Sequence, residues 1–141
     1  MSGPNRVHAV EGLFRETEAG PRLLGSKCAG CGSAYFPKDI VCHNPECDRS
    51  DLADVDFGPR GKIWSYAIQN YQPPPPVVTT EPYEPYAMGV VDLDDGLRVM
   101  GRLDVADPMA VEVGAAVELV VGAIGADGDG NEIVTWMFRP V

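Results

Sequence analysis

The four cysteines of this 141-residue chain all lie in one short stretch, CAGCGSAYFPKDIVCHNPEC, at residues 28–47. They form two pairs, Cys28-x2-Cys31 and Cys42-x4-Cys47, with ten residues between the pairs. Zinc in structural sites prefers four thiolates in a tetrahedron, and two short turns can supply two ligands each. Four protein ligands leave no coordination position open for a substrate. The spacing therefore predicts one zinc ion with a structural role, bound by Cys28, Cys31, Cys42 and Cys47.

Other uses of the four thiols remain open. Two disulfides would also use them all, but the first residues, MSGPNRVHAVEG, lack the pattern of a signal peptide. We therefore expect a cytoplasmic protein, in which disulfides are rare. A redox Cys-x-x-Cys would not need the second pair, and no thioredoxin-like βαβ pattern surrounds it. The same thiolates could hold iron, although zinc is favoured. His43 could replace a cysteine but is not needed as a ligand.

The charge of the chain is uneven. The net charge is −10, and residues 63–141 contain three basic and twelve acidic residues. Residues 22–62 contain six of each. Because binding to a phosphate backbone depends on many Lys and Arg contacts, the acidic second half is a poor surface for nucleic acid. No apolar run approaches the ~20 residues that span a bilayer, so we expect no membrane segment.

The hydrophobic pattern changes along the chain. Val7, Val10, Leu13 and Phe14 follow a helical spacing, which predicts a short amphipathic helix from about Val7 to Thr17. The segment RLLGSKC is expected to lead as a strand into the cysteine loop. After GPRG, the alternating stretch KIWSYAIQNY predicts another strand. A proline-rich excursion, QPPPPVVTTEPYEPY, then predicts an extended loop, since prolines cannot donate to a sheet.

The last third of the chain predicts two more pairs of strands. YAMGVVDL and LRVMGRLD are joined by Asp94-Asp95-Gly96, which is typical of a tight hairpin. AAVELVVGAI and EIVTWMFRPV are joined by the turn-rich GADGDGN, which lacks the ligand order of a calcium loop. Five strands of this kind suit a small closed barrel of the OB type, with Leu97, Val99, Gly101 and Leu103 facing its interior. The predicted fold is mainly β, with an N-terminal helical segment (residues 1–25), a rubredoxin-like zinc ribbon (26–58) and the OB barrel (59–141).

The sequence contains no recognisable catalytic constellation. The two histidines, His8 and His43, have no serine or free thiol nucleophile nearby once the cysteines bind metal. The phosphate-binding glycine motifs GxGxxG and GxxxxGK[ST] are both absent. An independent active site is therefore not expected.

Taken in order, four segments resemble one family, the zinc-ribbon OB-fold proteins of domain-of-unknown-function family thirty-five. The segments are LLGSKCAGCGSAYFPKDIVC, GPRGKIWSYAIQNYQPPPP, PYAMGVVDLDDGLRVMGRL and the closing WMFRP. The resemblance covers nearly the whole chain from about residue 10. It implies a non-catalytic subunit that binds and stabilises a thiolase or thiolase-like aldolase, in a heterotetramer or larger complex, during degradation of steroid side chains or aromatic acids. A hot-dog acyl-CoA hydratase is the alternative partner.

This resemblance suggests roles for two further groups of residues. The bases of residues 22–62 could meet the phosphates of coenzyme A at a site shared with the partner, and the candidates are Lys27, Lys38, Arg60 and Lys62. The long loop 71–86 offers a rigid aromatic surface for the partner, and its candidates are Tyr71, Pro73, Pro74, Tyr83 and Tyr86. Trp64, Tyr66, Trp136 and Phe138 could instead stack bases of a single-stranded nucleic acid, which we regard as a third alternative.

Overall fold

A computed structural model describes residues 6–75, 77–79 and 82–141 of the chain, and its regular structure is almost entirely β. The strands are β1 (Arg6–His8), β2 (Phe14–Thr17), β3 (Gly20–Cys28), β4 (Ala34–Tyr35), β5 (Leu52–Phe57), β6 (Arg60–Gln69), β7 (Tyr86–Leu93), β8 (Arg98–Leu103), β9 (Ala116–Ala126) and β10 (Glu132–Pro140). A single 3₁₀ turn, Pro108–Ala110, completes the regular elements within the described ranges. Among these residues there is no helix of the length and hydropathy needed to cross a membrane.

The predicted N-terminal helix is wrong. The segment forms two strands instead, β1 and β2, joined by a turn in which Gly12 has φ +83°. Residue 7 pairs with Ile133 on β10, and the N–H of Ala9 donates to the carbonyl of Val134. A helix-like apolar spacing is a weak signal over so few residues, and a glycine inside it costs about 1 kcal/mol of helix stability. The hydrogen bonds that decide this conformation come from a strand more than a hundred residues away.

The strands β2 to β5 form a four-stranded sheet, here called the ribbon sheet. Its central strand is β3, which contains the RLLGSKC segment predicted to be a strand. One edge of β3 pairs with β5 over Leu23–Cys28, and the other edge pairs first with β2 and then with β4. The strand therefore leads directly from the hydrophobic core, at Leu23, to the first cysteine.

The strands β6 to β10 close into a five-stranded barrel, as predicted. Their order is β10-β8-β7-β6-β9, and β9 pairs back with β10 to complete the ring. The only parallel pair in the ring joins β10 to β8. The predicted hairpin turn forms between β7 and β8, where Gly96 has φ +99° and its N–H donates to Leu93. The four residues predicted to face the interior are all buried: Leu97, Val99, Gly101 and Leu103.

The ribbon sheet and the barrel share one hydrophobic core. Phe57 of the ribbon sheet and Phe138 of the barrel are both fully buried in the same cluster. At the surface, the ring of Phe36 meets Trp136 edge-on at 5.3 Å between centroids, and His8 of β1 stacks on Phe14 of β2 at 4.0 Å. Because the metal loop is attached to this shared core, its position relative to the barrel is set by packing.

Candidate metal centre

The structure brings the four cysteines together at the end of β3. Their Sγ atoms all lie within 4.8 Å of one another. The Sγ atoms of Cys28 and Cys47 are 3.8 Å apart, and those of Cys31 and Cys42 are 3.5 Å apart. A tetrahedron with metal–sulfur bonds of about 2.3 Å has edges of about 3.8 Å. The donor set and its dimensions therefore fit a tetrahedral zinc ion.

The first cysteine pair is held by a tight turn. The N–H of Gly32 donates to the carbonyl of Cys28 at 2.7 Å, and Gly32 has φ +80°, as its place after Cys31 predicts. A Cβ placed on Gly30 would lie 2.0 Å from the carbonyl oxygen of Arg49. The backbone after the second pair thus passes directly over the first turn, and only glycine leaves it room.

The second cysteine pair is held by polar side chains within the loop. The N–H of Cys42 donates to the hydroxyl of Ser50 at 2.9 Å. In the wider turn, the N–H of Cys47 donates to the carbonyl of Asn44, whose side chain also accepts from the N–H of Glu46. These hydrogen bonds explain how the segment Cys42–Cys47, with four residues between its cysteines, still closes into a turn.

The neighbouring groups lower the thiol pKa at two of the cysteines, Cys31 and Cys28. The hydroxyl of Ser33 lies 3.1 Å from the Sγ of Cys31 and, with the Ser33 backbone N–H, lowers the pKa of that thiol to about 6. The backbone of Asp51 likewise lowers the pKa of Cys28. At Cys47 the N–H of Arg49 acts to lower the pKa, but burial and the three other thiols outweigh it and raise the pKa to about 12. Four thiolates at this distance need a cation between them.

His43 is engaged outside the cluster of thiols. Its Nε2 lies 2.6 Å from the Oδ2 of Asp39, and its backbone N–H donates to the hydroxyl of Tyr35. That hydroxyl lies 3.4 Å from the Sγ of Cys42. The group of metal-ligating side chains found in the described residues contains the four cysteines and not this histidine. His43 therefore helps to orient the loop through Asp39 and Tyr35.

The four candidate bases for coenzyme A lie in two separate places. Lys27 is on β3 at the metal end, and Lys38 is near it, paired with Asp54 at 3.4 Å. Arg60 and Lys62 are exposed on one side of β6. The register of β3 with β5 places Lys27 four residues, about 13 Å, from the strand end that leads to β6. Within the described part of the chain, Lys27, Arg60 and Lys62 form no ion pair.

The candidate interface residues of loop 71–86 differ in how firmly they are held. Tyr71 is 85% exposed, and Pro73 and Pro74 follow it at the surface. The hydroxyl of Tyr83 donates to the carbonyl of Gln69 at 2.6 Å, whereas Tyr86 begins β7. The fourth proline of the run, Pro76, lies outside the described residues. The two later tyrosines are thus anchored to the barrel, whereas the side chain of Tyr71 is exposed at the start of the loop, just after β6.

The structure also separates the four aromatic residues considered as a base-stacking platform. Phe138 is fully buried, whereas Trp64 is 53% exposed and Tyr66 is 36% exposed. Trp136 instead borders an apolar groove on the outside of the barrel, which the sequence reasoning missed. Met88 on β7 and Met100 on β8 occupy outward positions, and this pattern in the sequence could have indicated the groove.

Two family profiles match this chain in succession. Residues 19–53 match the rubredoxin-like zinc ribbon domain of ChsH2, and residues 54–122 match the C-terminal OB-fold domain of ChsH2. The chain is 35% identical to a DUF35 domain-containing scaffold protein of Methanothermobacter thermautotrophicus, over 83% of this chain and 84% of the relative.

Two other similar proteins have more specific names. The chain is 31% identical to benzoylsuccinyl-CoA thiolase subunit BbsA of Thauera aromatica, over 86% of this chain and 78% of that protein. It also matches a solved chain of the Ltp2-ChsH2(DUF35) aldolase with a TM-score of 0.60 and 28% identity, over 84% of each chain. With a four-cysteine ribbon and a closed five-stranded barrel in the same order, this protein belongs to the DUF35 family of zinc-ribbon OB-fold proteins.

Proposed function

We propose that this protein is a non-catalytic subunit that binds and stabilises a thiolase-superfamily enzyme and helps to form its acyl-CoA site. The observation that carries the proposal is similarity, over most of the chain, to a thiolase subunit and to a chain of an aldolase complex. In this role the partner supplies the nucleophile and the bases for carbon–carbon bond cleavage or formation. The pathway would be the degradation of acyl-CoA from steroid side chains or aromatic acids.

We infer that one zinc ion has a structural role in this subunit. Cys28, Cys31, Cys42 and Cys47 would hold it, and the bound ion would supply folding free energy to a loop without its own core. With all four thiolates as ligands, the chain retains no thiol to attack a thioester. We also keep the predicted division into a ribbon at residues 26–58 and a barrel at 59–141, although the strands β2 and β3 of the ribbon sheet begin before residue 26.

Co-purification tests the proposal directly. The chain is expressed alone, and together with the thiolase-superfamily protein encoded beside it, and both samples are run on a sizing column. We expect poor solubility or self-association alone, and one stable complex of heterotetramer size or larger after co-expression. Thioester turnover should require the complex. A well-behaved monomer that elutes separately from the enzyme, or turnover by this chain alone, would refute the proposed function.

A substitution in β6 tests the contact with coenzyme A. Arg60 and Lys62 project from the same side of the strand and are exposed without an ion pair to a described residue. Replacing both with alanine should raise the KM of the complex for acyl-CoA about fivefold to tenfold with little change in kcat, the size expected of partly exposed charge contacts. Steady-state kinetics of the purified complex would measure this.

The matched control is Arg6→Ala, which removes an exposed arginine on β1 that makes only surface ion pairs with Glu16 and Glu132. Its KM should remain at the wild-type value. An unchanged KM in the Arg60→Ala, Lys62→Ala variant would assign both residues to the solvated surface and remove them from the acyl-CoA site.

A further inference from the structure

An apolar groove of about 400 Å³ runs along the outside of the barrel. Its walls come from four parts of the chain: the segment after β1, residues 77–78 of the proline-rich loop, the hairpin β7–β8, and the strands β9 and β10. We call its main apolar lining residues the docking face, and these are Val10, Val77, Val78, Met88, Met100 and Trp136. Val10 and Met100 are each 58% exposed, and Val77 is 50% exposed.

The strand pattern explains why the two methionines of the docking face, Met88 and Met100, point outward. On β8 the positions alternate, so that Val99 and Leu103 enter the core and Met100 faces away from it. On β7 the partner of Met100 across the pair is Val90, which is also apolar. Outward positions of an antiparallel sheet are usually polar when water covers them. An exposed apolar patch of this kind marks a surface that another molecule covers.

The floor of the groove depends on a glycine. The ring Nε1 of Trp136 donates to the carbonyl of Met100 at 3.2 Å, which places the indole against β8. A Cβ on Gly101 would lie 2.8 Å from that same nitrogen. The indole is braced on its other side by the edge-on contact with Phe36. The groove is therefore a preformed feature held by strand and ring packing.

One positive charge in the groove is available for a partner. The guanidinium of Arg102 lies 3.6 Å from the ring centroid of Tyr86, and it forms no ion pair with any described residue. Arg98 lies similarly over Trp64, at 4.0 Å, but it is already bonded to the carboxylate of Asp92 at 2.6 and 3.0 Å. A planar guanidinium held flat on an aromatic ring is ready to bind a carboxylate through its free edge.

We propose that the docking face is where the thiolase-superfamily partner binds, with an apolar element of the partner in the groove and a partner carboxylate on Arg102. This inference rests on the proposed function and names the surface that serves it. It keeps the predicted role of loop 71–86 in contact with the partner, but it assigns that contact to residues that line the groove. Val77 and Val78 of the loop form a wall of the groove, whereas Tyr71, exposed at the start of the loop, lies outside its lining.

Charge distinguishes this occupant from two others. A second copy of the chain, docking the same face by two-fold symmetry, would bring an identical cationic surface toward Arg102. A nucleic acid would meet a barrel half of the chain in which acids outnumber bases by nine. A partner that presents an apolar element and a carboxylate complements both the apolar lining of the groove and the positive charge of Arg102.

The test compares two methionines. Met100→Glu places a charge in the docking face, and Met109→Glu places the same charge on the 3₁₀ turn, where Met109 is 77% exposed. We expect Met100→Glu to weaken the complex at least about 30-fold, the loss typical of a central interface residue, and Met109→Glu to bind like wild type. Arg102→Met should weaken it more than Arg98→Met does. Zinc content and thermal melting of each variant verify folding.

Intrinsic fluorescence supplies a second readout. The chain has two tryptophans, Trp64 and Trp136, and Trp136 lines the groove. Adding the partner to the chain should shift the emission of the wild-type protein and of Trp64→Phe, which retains Trp136. If Met100→Glu bound the partner as tightly as the wild type does, the docking face would not be the binding surface for the partner. The proposed function would still stand. Failure of the wild type to bind the partner would instead refute the proposed function.

Two further results would also overturn the inference by assigning the face to another occupant. One is a wild-type dimer in light scattering that Met100→Glu converts to a monomer. The other is a shift of the Trp136 emission by a single-stranded oligonucleotide at moderate salt. We expect Met100→Glu to leave any self-association of the isolated chain unchanged, and we expect no response to the oligonucleotide.

Discussion

Replacing Cys28 with serine is expected to give protein that contains no zinc and is largely insoluble. Cys28 is 1% exposed and ends the strand that connects the core to the metal loop. Structural zinc contributes about 10–16 kcal/mol to folding in small zinc-binding units, whereas a whole domain is stable by only about 5–15 kcal/mol. Elemental analysis of the purified protein should find about one zinc per wild-type chain, in a colourless sample, and none in the variant.

Two further variants make this result specific. Cys42→Ser should behave like Cys28→Ser, because the Sγ of Cys42 lies 3.5 Å from that of Cys31 in the same cluster. Val41→Ser is the control, since this neighbour of Cys42 is 51% exposed and directs no sulfur into the site. If both cysteine variants retained one zinc and the wild-type melting temperature, the ligand assignment would be wrong. A red protein that contains iron would show that the four cysteines form a rubredoxin-like iron centre and not a zinc site.

The second large effect is expected at the junction between the ribbon sheet and the barrel. Phe57 ends β5, is fully buried, and belongs to the cluster that contains barrel residues such as Phe138. Its ring also fills the space above Gly25, where an added Cβ would lie 2.6 Å from the ring. Phe57→Ala should reduce the free energy of unfolding by about 3–5 kcal/mol, since a cavity remains where the ring packed. Urea unfolding of the zinc-loaded protein would measure the loss.

The control for this substitution is Tyr71→Ala, which removes an aromatic ring that is 85% exposed. Its free energy of unfolding should stay within about 0.5 kcal/mol of wild type. A loss below about 1 kcal/mol in Phe57→Ala would mean that the ribbon sheet and the barrel are stabilised independently, contrary to the shared core. Zinc content should be unchanged in both variants, which separates this effect from loss of the metal.

The barrel strands could be predicted well because their signals are local. Alternation along β8 identifies Val99 and Leu103 as interior positions, and both are buried. The turn Asp94-Asp95-Gly96 likewise joins neighbouring strands, and its glycine adopts the positive φ that such turns need. The N-terminal segment could not be predicted in this way. Its four apolar residues fit a helix and a pair of strands about equally, and the pairing of β1 with β10 and of β2 with β3 decides between them.

The candidate sites show the same division. Four thiols within one short stretch can be recognised as a metal centre, because only local turns are needed to bring them together. Lys27 and Arg60 seemed equivalent as bases of one region, but the register of β3 with β5 places Lys27 at the metal end of the ribbon sheet, whereas Arg60 begins β6 of the barrel. Tyr71 and Tyr83 were predicted together as interface residues of one loop, but Tyr71 is exposed, whereas the hydroxyl of Tyr83 is bonded to the barrel strand β6.

The amino-acid sequence by itself determined the chemistry of the cysteine cluster and the inward and outward positions of the barrel strands, because both depend on spacings of a few residues. Only the tertiary structure decided which outward residues meet. Val10, Met100 and Trp136 come from distant parts of the chain and form one groove because β1 and β8 both pair with β10. Strand register and barrel closure are long-range properties, and a pattern of period two contains no information about them.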